Sequence, residues 1–321
     1  MPIFNWRLPI EEVANRKQSH LFRRIPELAS GNWQAAIDLN SLPIGIFDSG
    51  VGGLTVYRAL HERLPNEHFI YLGDTARVPY GTKSLRTVER YAIENAKFLE
   101  SRGIKLLAVA CNTASALALP AIRAAVKVEV IGVIEPGAEA AVALAAGKPI
   151  GVIATEATVQ SAAYSQAIAK LDPAAEVIEQ ACPLFVALAE EGWAESSVAE
   201  TVAAEYLTRF RKVNLGALVL GCTHYPILNS VIRRTLGSEV PLIDSGGATA
   251  VKVQSRLESQ GLARAAPPDR NRERQLCDDL DHFYVTDAAS RFARVAERFL
   301  GAAPSVLEAV EVWGHDELRT N

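Results

Sequence analysis

The chain has 321 residues, of which 49% are hydrophobic and 22% charged, and it carries a formal net charge of −4. At roughly 150 residues per domain, that length predicts about two domains, each able to bury an ordinary core. The slightly acidic balance gives no footing for nucleic acid or an anionic membrane surface, and apolar runs such as Leu106–Ala110 and Ala217–Leu220 fall far short of the about 20 residues that a membrane-spanning helix needs, so neither is an expected partner.

Residues 1–42 stand apart as an N-terminal extension, with Trp6, Phe22 and Trp33 among mixed charges. One or two short helices, or partial disorder, are expected there. Met1 to Lys17 hold no continuous apolar stretch, so a secretory signal is not expected. The four cysteines, Cys111, Cys182, Cys222 and Cys277, form no C-x-x-C pair and are too few for a disulfide scaffold. They point to reduced thiols and a cytoplasmic protein.

From Pro43 onward, short apolar runs alternate with longer amphipathic stretches. The runs are Ile44–Phe47, Phe69–Leu72, Leu106–Ala110, Val128–Val133, Ile150–Ile153, Ala217–Leu220 and Leu242–Ile243. Continuous apolar strands separated by helical stretches predict an α/β fold with a mostly parallel sheet covered on both faces. Pro43-Ile44-Gly45-Ile46-Phe47 recurs 106 residues later as Pro149-Ile150-Gly151-Val152-Ile153, and Cys111 and Cys222, each at the end of an apolar run, are 111 residues apart. Two pairs with nearly equal offsets suggest a duplicated α/β unit, although Pro-Ile-Gly before a strand is also a common sequence.

The first apolar run ends in Asp48-Ser49-Gly50-Val51-Gly52-Gly53. The glycines permit a tight turn and close backbone approach. They do not make a dinucleotide fingerprint, and the chain has no phosphate loop. On its own Asp48 reads as a turn or cap residue. Pro79-Tyr80-Gly81, after Asp74-Thr75, reads as an ordered turn, with Tyr80 open to a packing role. Cys111-Asn112-Thr113 and Cys222-Thr223-His224 each follow an apolar run and precede a helical pattern. Both therefore sit at the carboxyl end of a strand, where open parallel sheets bind ligands. A helix N-terminus there would suit a carboxylate and would lower a thiol pKa from about 8.5. Asn112, Thr113 and Thr223 are small polar residues suited to capping or to substrate oxygens. His224 is open to a helix-terminus role as well as a functional one. A lone cysteine at a strand end is usually a small buried apolar residue; two in matched contexts raise the case for chemistry. Cys182 and Cys277 are expected to be structural, Asp244-Ser245-Gly246-Gly247 a plain turn, and the arginine-containing stretch 262–275 a solvated loop.

Taken together these strings resemble glutamate racemase, in the aspartate/glutamate racemase superfamily. The resemblance rests on Gly45-Ile46-Phe47-Asp48-Ser49-Gly50-Val51-Gly52-Gly53-Leu54, Gly73-Asp74-Thr75-Ala76-Arg77-Val78-Pro79-Tyr80-Gly81, Ala110-Cys111-Asn112-Thr113-Ala114, Gly132-Val133-Ile134-Glu135-Pro136-Gly137, Cys182-Pro183-Leu184-Phe185 and Gly221-Cys222-Thr223-His224-Tyr225-Pro226. It continues to about residue 312, through Phe283-Tyr284-Val285-Thr286 and Phe299-Leu300-Gly301. The resemblance implies two pseudo-symmetric α/β domains with the active site in the cleft between them: residues 43–134 plus 244–315, and residues 135–243. It implies Cys111 and Cys222 as the catalytic pair, assisted by Asp48 and His224 respectively, and substrate contacts from Asp48, Ser49, Tyr80, Gly81, Asn112, Thr113, Thr223 and His224. The extension and the arginine loop have no clear counterpart. Some extended relatives respond to a cell-wall precursor, so such an activator is an open expectation for residues 1–42.

The chemistry fits. Racemisation takes the Cα proton from one face and returns one to the other, which two acid/base groups on opposite faces do without turning the substrate over. No pattern identifies a pyridoxal lysine, so no cofactor and no metal are expected. The carbanion-like state would be stabilised by backbone N–H groups and hydroxyls in a water-poor cleft. The expected activity is interconversion of L- and D-glutamate by a homodimer, feeding D-glutamate to peptidoglycan synthesis. The rivals are an aspartate or hydantoin racemase of the same superfamily and a non-catalytic amino-acid-binding regulator, against which the two cysteines argue.

Overall fold

The computed structural model describes residues 38–266 and 274–313. Residues 1–37 of the extension and residues 267–273 of the arginine loop lie outside the described residues. Ten strands are found among them: β1 (Ile44–Asp48), β2 (Phe69–Gly73), β3 (Leu106–Val109), β4 (Glu129–Gly132), β5 (Ile150–Ala154), β6 (Val177–Ala181), β7 (Ala217–Gly221), β8 (Leu242–Asp244), β9 (His282–Val285) and β10 (Leu307–Ala309). All seven apolar runs are strands, each within one residue of the expected ends.

The strands make two sheets, ordered β10-β9-β2-β1-β3-β4 and β6-β5-β7-β8. Every pairing is parallel, and helices connect the strands, so the α/β class read from the sequence holds. The second sheet repeats the order β2-β1-β3-β4 of the first. Its central strand β5 stands where β1 stands, and Cys111 and Cys222 follow the equivalent strands β3 and β7. The Pro-Ile-Gly echo has a packing cause. A Cβ on Gly45 would lie 2.6 Å from Ile104 Cδ1, and one on Gly151 2.7 Å from Leu218 Cδ1, so each central strand uses glycine to admit a bulky aliphatic group.

Three strands escaped the reading. β6 (Val-Ile-Glu-Gln-Ala) is half polar and mostly half-buried. β10 is a short, largely exposed edge. β9 is only four residues long and sits between the arginine loop and an amphipathic helix. β9 and β10 extend the first sheet beside β2. A further correction concerns Asp244-Ser245-Gly246-Gly247. It is not a plain turn but the start of the helix Ser245–Gln260, with Asp244 as N-cap accepting the Gly246 N–H at 2.8 Å. That helix packs along Leu54–Arg63, the helix after β1. No helix among the described residues is long and apolar enough to cross a membrane.

Candidate active site

The carboxyl ends of the strands in both sheets meet at one cleft of about 470 Å³ including its open mouth, within the range of small-molecule sites. β1 contributes Ser49 and Gly50, β3 Cys111, Asn112 and Thr113, β5 Thr155, and β7 Cys222, Thr223 and His224; the loop after β2 brings Tyr80 and Gly81, and the helix after β6 brings Glu190. The cleft thus gathers every site residue read from the sequence except Asp48, which is fully buried behind it.

The glycine run after β1 serves this assembly. A Cβ on Gly52 would lie 2.3 Å from Thr223 Oγ1 and 2.5 Å from the His224 ring, so the backbone of the first half can lie directly against the second cysteine motif. Thr55, in the first turn of the next helix, donates to the Thr223 carbonyl at 2.8 Å. Asp48 accepts the Gly50 N–H through Oδ2 at 2.9 Å, and its Oδ1 has no partner. Burial raises its pKa, against the opposing pull of His224 and of the Gly53, Gly50 and Ser49 N–H groups.

Cys111 caps the helix Asn112–Leu117, its sulfur accepting the Ala114 N–H at 3.4 Å. Ser49 Oγ lies 3.4 Å from the same sulfur. The helix start does not lower this thiol's pKa as the sequence suggested. Burial and the Asp48 charge outweigh the Ser49 and Ala114 hydrogen bonds and push it up to about 12. The cysteine is better solvated in the unfolded chain than in the cleft, and one short helix cannot offset that loss.

Cys222 differs in a second way from expectation. It is not followed directly by an α-helix. A 3-10 turn, Tyr225–Leu228, comes first, and the helix Asn229–Leu236 starts only after it; Pro226 stands near the turn's start, where its missing N–H costs no hydrogen bond. The group beside the Cys222 sulfur is a side chain. His224 Nδ1 lies 3.7 Å from Cys222 Sγ, and its Nε2 lies 3.1 Å from Glu190 Oε1. Burial alone would lower the His224 pKa, but the Cys222 and Glu190 hydrogen bonds and charges carry it up to about 10. Glu190 is in turn held by Arg291, 3.1 Å from its other carboxylate oxygen.

Tyr80 is placed by a network behind the cleft. Its hydroxyl donates to Asp74 and accepts from Asn95 Nδ2 at 3.0 Å, so its ring rather than its hydroxyl faces the site. Thr113 Oγ1 lies 3.0 Å from Thr155 Oγ1, which lies 2.9 Å from Thr158 Oγ1. Glu190 and Thr155 were missed by the sequence reading. Glu190 stands eight residues beyond Cys182 with no motif of its own. Thr155 ends β5 at the place where Ser49 ends β1, so the repeat carried a signal for it.

The comparisons with known proteins agree with this geometry. The family model for Asp/Glu/hydantoin racemases matches residues 44–253, well over half of the chain. The chain belongs to this family. Among its racemase relatives, a glutamate racemase from Geobacter metallireducens is 51% identical over 258 residues, 80% of this chain and 92% of that protein. The glutamate racemase of Francisella tularensis, solved in complex with D-glutamate, superposes with a TM-score of 0.77 at 41% identity, over 85% of this chain and 98% of that one. Escherichia coli glutamate racemase, solved with L-glutamate and the activator UDP-MurNAc-ala, superposes with a TM-score of 0.67 at 29% identity, over 85% of this chain and all of that one. The resemblance read from the sequence is thereby borne out at the level of the racemase family.

Proposed function

We propose that this chain interconverts L- and D-glutamate without a cofactor, Cys111 and Cys222 exchanging protons with Cα from opposite faces. The observation that carries the reading is that two equivalent strand ends of a duplicated fold deliver two cysteines to one cleft. The names of the relatives support glutamate as the substrate.

In one direction the sulfur of one cysteine, as thiolate, takes the Cα proton, and the carbon takes a proton from the thiol of the other; the reverse reaction exchanges their roles. His224 Nδ1, 3.7 Å from the Cys222 sulfur, is near enough to pass a proton to or from it, and burial raises the Cys111 pKa and so favours its thiol form. Asp48 is read as assisting Cys111 and His224 as assisting Cys222. Asp48 Oδ1 and Asn112 Nδ2 are buried without hydrogen-bond partners among the described residues, one suited to the substrate ammonium group and the other to a carboxylate. Ser49, Gly81, Thr113 and Thr223 supply further donors, and the Tyr80 ring closes one wall. Donors fixed in a water-poor cleft stabilise charge as it develops on the carboxylate side of Cα.

Residues 43–134 plus 244–315 and residues 135–243 are read as the two domains, acting as a homodimer that supplies D-glutamate to peptidoglycan synthesis. The activator named in the Escherichia coli complex makes a cell-wall precursor a candidate effector here.

Cys111→Ala and Cys222→Ala are each expected to abolish racemisation while leaving the unfolding transition in place. Wild-type protein turning over in heavy water should place deuterium at Cα. Full activity in either variant ends the two-base reading, and faster turnover of aspartate or a hydantoin than of glutamate in parallel assays replaces the substrate.

A further inference from the structure

Asn112 is a cleft-lining amide with an orientation problem. Its two ends are nearly the same size, but only Nδ2 can donate to a carboxylate. Among the described residues the one side chain bonded to it is Tyr164, whose hydroxyl lies 2.7 Å from Asn112 Oδ1. Tyr164 belongs to the helix Ala163–Leu171, between β5 and β6 of the second sheet, whereas Asn112 follows β3 of the first.

The tyrosine sits in a slot shaped for it. A Cβ on Gly137 would lie 3.2 Å from its Cε1 and 3.3 Å from its hydroxyl, and a Cβ on Gly221, the residue before Cys222, would lie 3.0 Å from its Cε2. Its exposure is 0%. Burial, with the nearby Cys222, Asp244 and Glu179, keeps the hydroxyl protonated. Ser245 opens the helix after β8, in the Asp244-Ser245-Gly246-Gly247 motif that the proposed chemistry leaves unused. Ser245 Oγ is turned to the Leu220 carbonyl at 3.5 Å, and Asn112 Oδ1 is the acceptor that the Tyr164 hydroxyl proton meets.

We infer that Tyr164 is a positioning residue for substrate binding: by donating to Asn112 Oδ1 it turns Asn112 Nδ2, which has no hydrogen-bond partner among the described residues, toward the substrate carboxylate. This rests on glutamate as the substrate. Without the hydroxyl the amide has no reason to prefer one orientation, and in the other it presents an oxygen to a carboxylate. The contact also ties the amide of the first half to the glycine that precedes the second cysteine.

The test is a double-mutant cycle of wild type, Tyr164→Phe, Asn112→Ala and the double variant, with KM and kcat measured in both directions and Kd for glutamate by calorimetry. Tyr164→Phe keeps the ring in its slot. It should raise KM and Kd by about fivefold to tenfold, the worth of one buried hydrogen bond, with a smaller change in kcat and an unfolding midpoint lowered by no more than a few degrees. In the Asn112→Ala background it should have no further effect, because its target is gone. A Tyr164→Phe enzyme with wild-type KM, or the same fold-change in both backgrounds, overturns the proposal. An independent readout does not need the substrate to be right. The Asn112 side-chain amide, assigned in nitrogen-15 spectra by its loss in Asn112→Ala, should give one set of signals in wild type and broaden or double in Tyr164→Phe; an unchanged signal overturns the proposal. Wild-type protein that neither binds nor turns over glutamate would instead remove the functional reading and leave the amide measurement to decide the orientation.

Discussion

Glu190 gives one carboxylate oxygen to His224 and the other to Arg291. Because the two partners use different oxygens, the arginine fixes the carboxylate's rotamer without competing with the imidazole. Burial works against ionisation of Glu190, yet the His224 hydrogen bond and charge, with Arg291, hold its pKa below the usual carboxylate value. His224 is raised from 6.5 to about 10. A raised basic group contributes stability that is complete below its unfolded pKa and is lost as the pH climbs through the folded one. The stability that the ion pair contributes should therefore fall between roughly pH 6.5 and 10, while the folded enzyme keeps the pair, and the activity that depends on it, until the pH nears 10. Glu190→Gln keeps the shape but removes the anion that helps hold the imidazole protonated. The alkaline limb of the kcat/KM profile should move to lower pH, with a tenfold to hundredfold fall at its optimum, on the order of general acid–base effects. A profile that keeps its alkaline limb in place would show that Glu190 does not govern His224. At this scale the sequence was legible wherever a motif kept its residues adjacent, as in Cys222-Thr223-His224. It was silent on Glu190, 34 residues before the histidine it meets, because only the fold makes them neighbours. It misled on Cys111, where a helix-terminus argument carries no information about burial.

The element that shapes one wall of the cleft is the loop from Asp74 to Thr82, and its rigidity comes from behind. Arg77 donates through Nε to both Asp74 oxygens at 3.0 and 2.7 Å, pairs with Glu94, and reaches Asn95 Oδ1 at 3.0 Å. Its guanidinium lies 4.2 Å from the centre of the Tyr91 ring. Asp74 also accepts from Thr286 Oγ1 at 2.9 Å, which binds the loop to the chain just after β9. Arg77→Ala would leave Asp74 and Glu94 buried without their cation, a loss on the order of 3–5 kcal/mol when one partner of a buried pair is removed. Urea unfolding should show that loss together with a higher KM, since Tyr80 and Gly81 ride on the same loop; a fall of less than about 1 kcal/mol would mean that the network is slack. The strands in this layer were readable because parallel β-strands buried on both faces need unbroken apolar runs. Edge strands can do without such a run: β6 and β10 carry polar, poorly buried residues and left no comparable trace, whereas the edges β4 and β8 kept short apolar runs.

For the molecule as a whole, the cleft is assembled by long-range pairing of two similar halves, and among the described residues those lining it lie at Ser49 or later. The entry into β1 is also anchored from within. Lys105 Nζ donates to Asn40 O at 2.9 Å and Leu262 O at 2.8 Å and pairs with Glu67 at 2.6 Å. Arg264 binds the Ser41 carbonyl and donates its backbone N–H to Glu67 at 2.8 Å. These bonds grip the chain at residues 40 and 41, ahead of the first strand, and they use no residue before Asp38. A chain beginning at Asp38 should therefore keep its unfolding midpoint within a few degrees, which for a protein this large corresponds to about 1 kcal/mol. Its kcat/KM for glutamate should stay within about twofold of the full chain, since none of the transition-state contacts is touched. Measuring both proteins with and without a uridine-diphosphate cell-wall precursor separates two roles for residues 1–37. Activation of the full chain alone would assign effector response to the extension, and equal activation would assign it to the folded halves. A more than tenfold loss of basal rate on truncation would contradict the view that the cleft is complete from Asp38 onward.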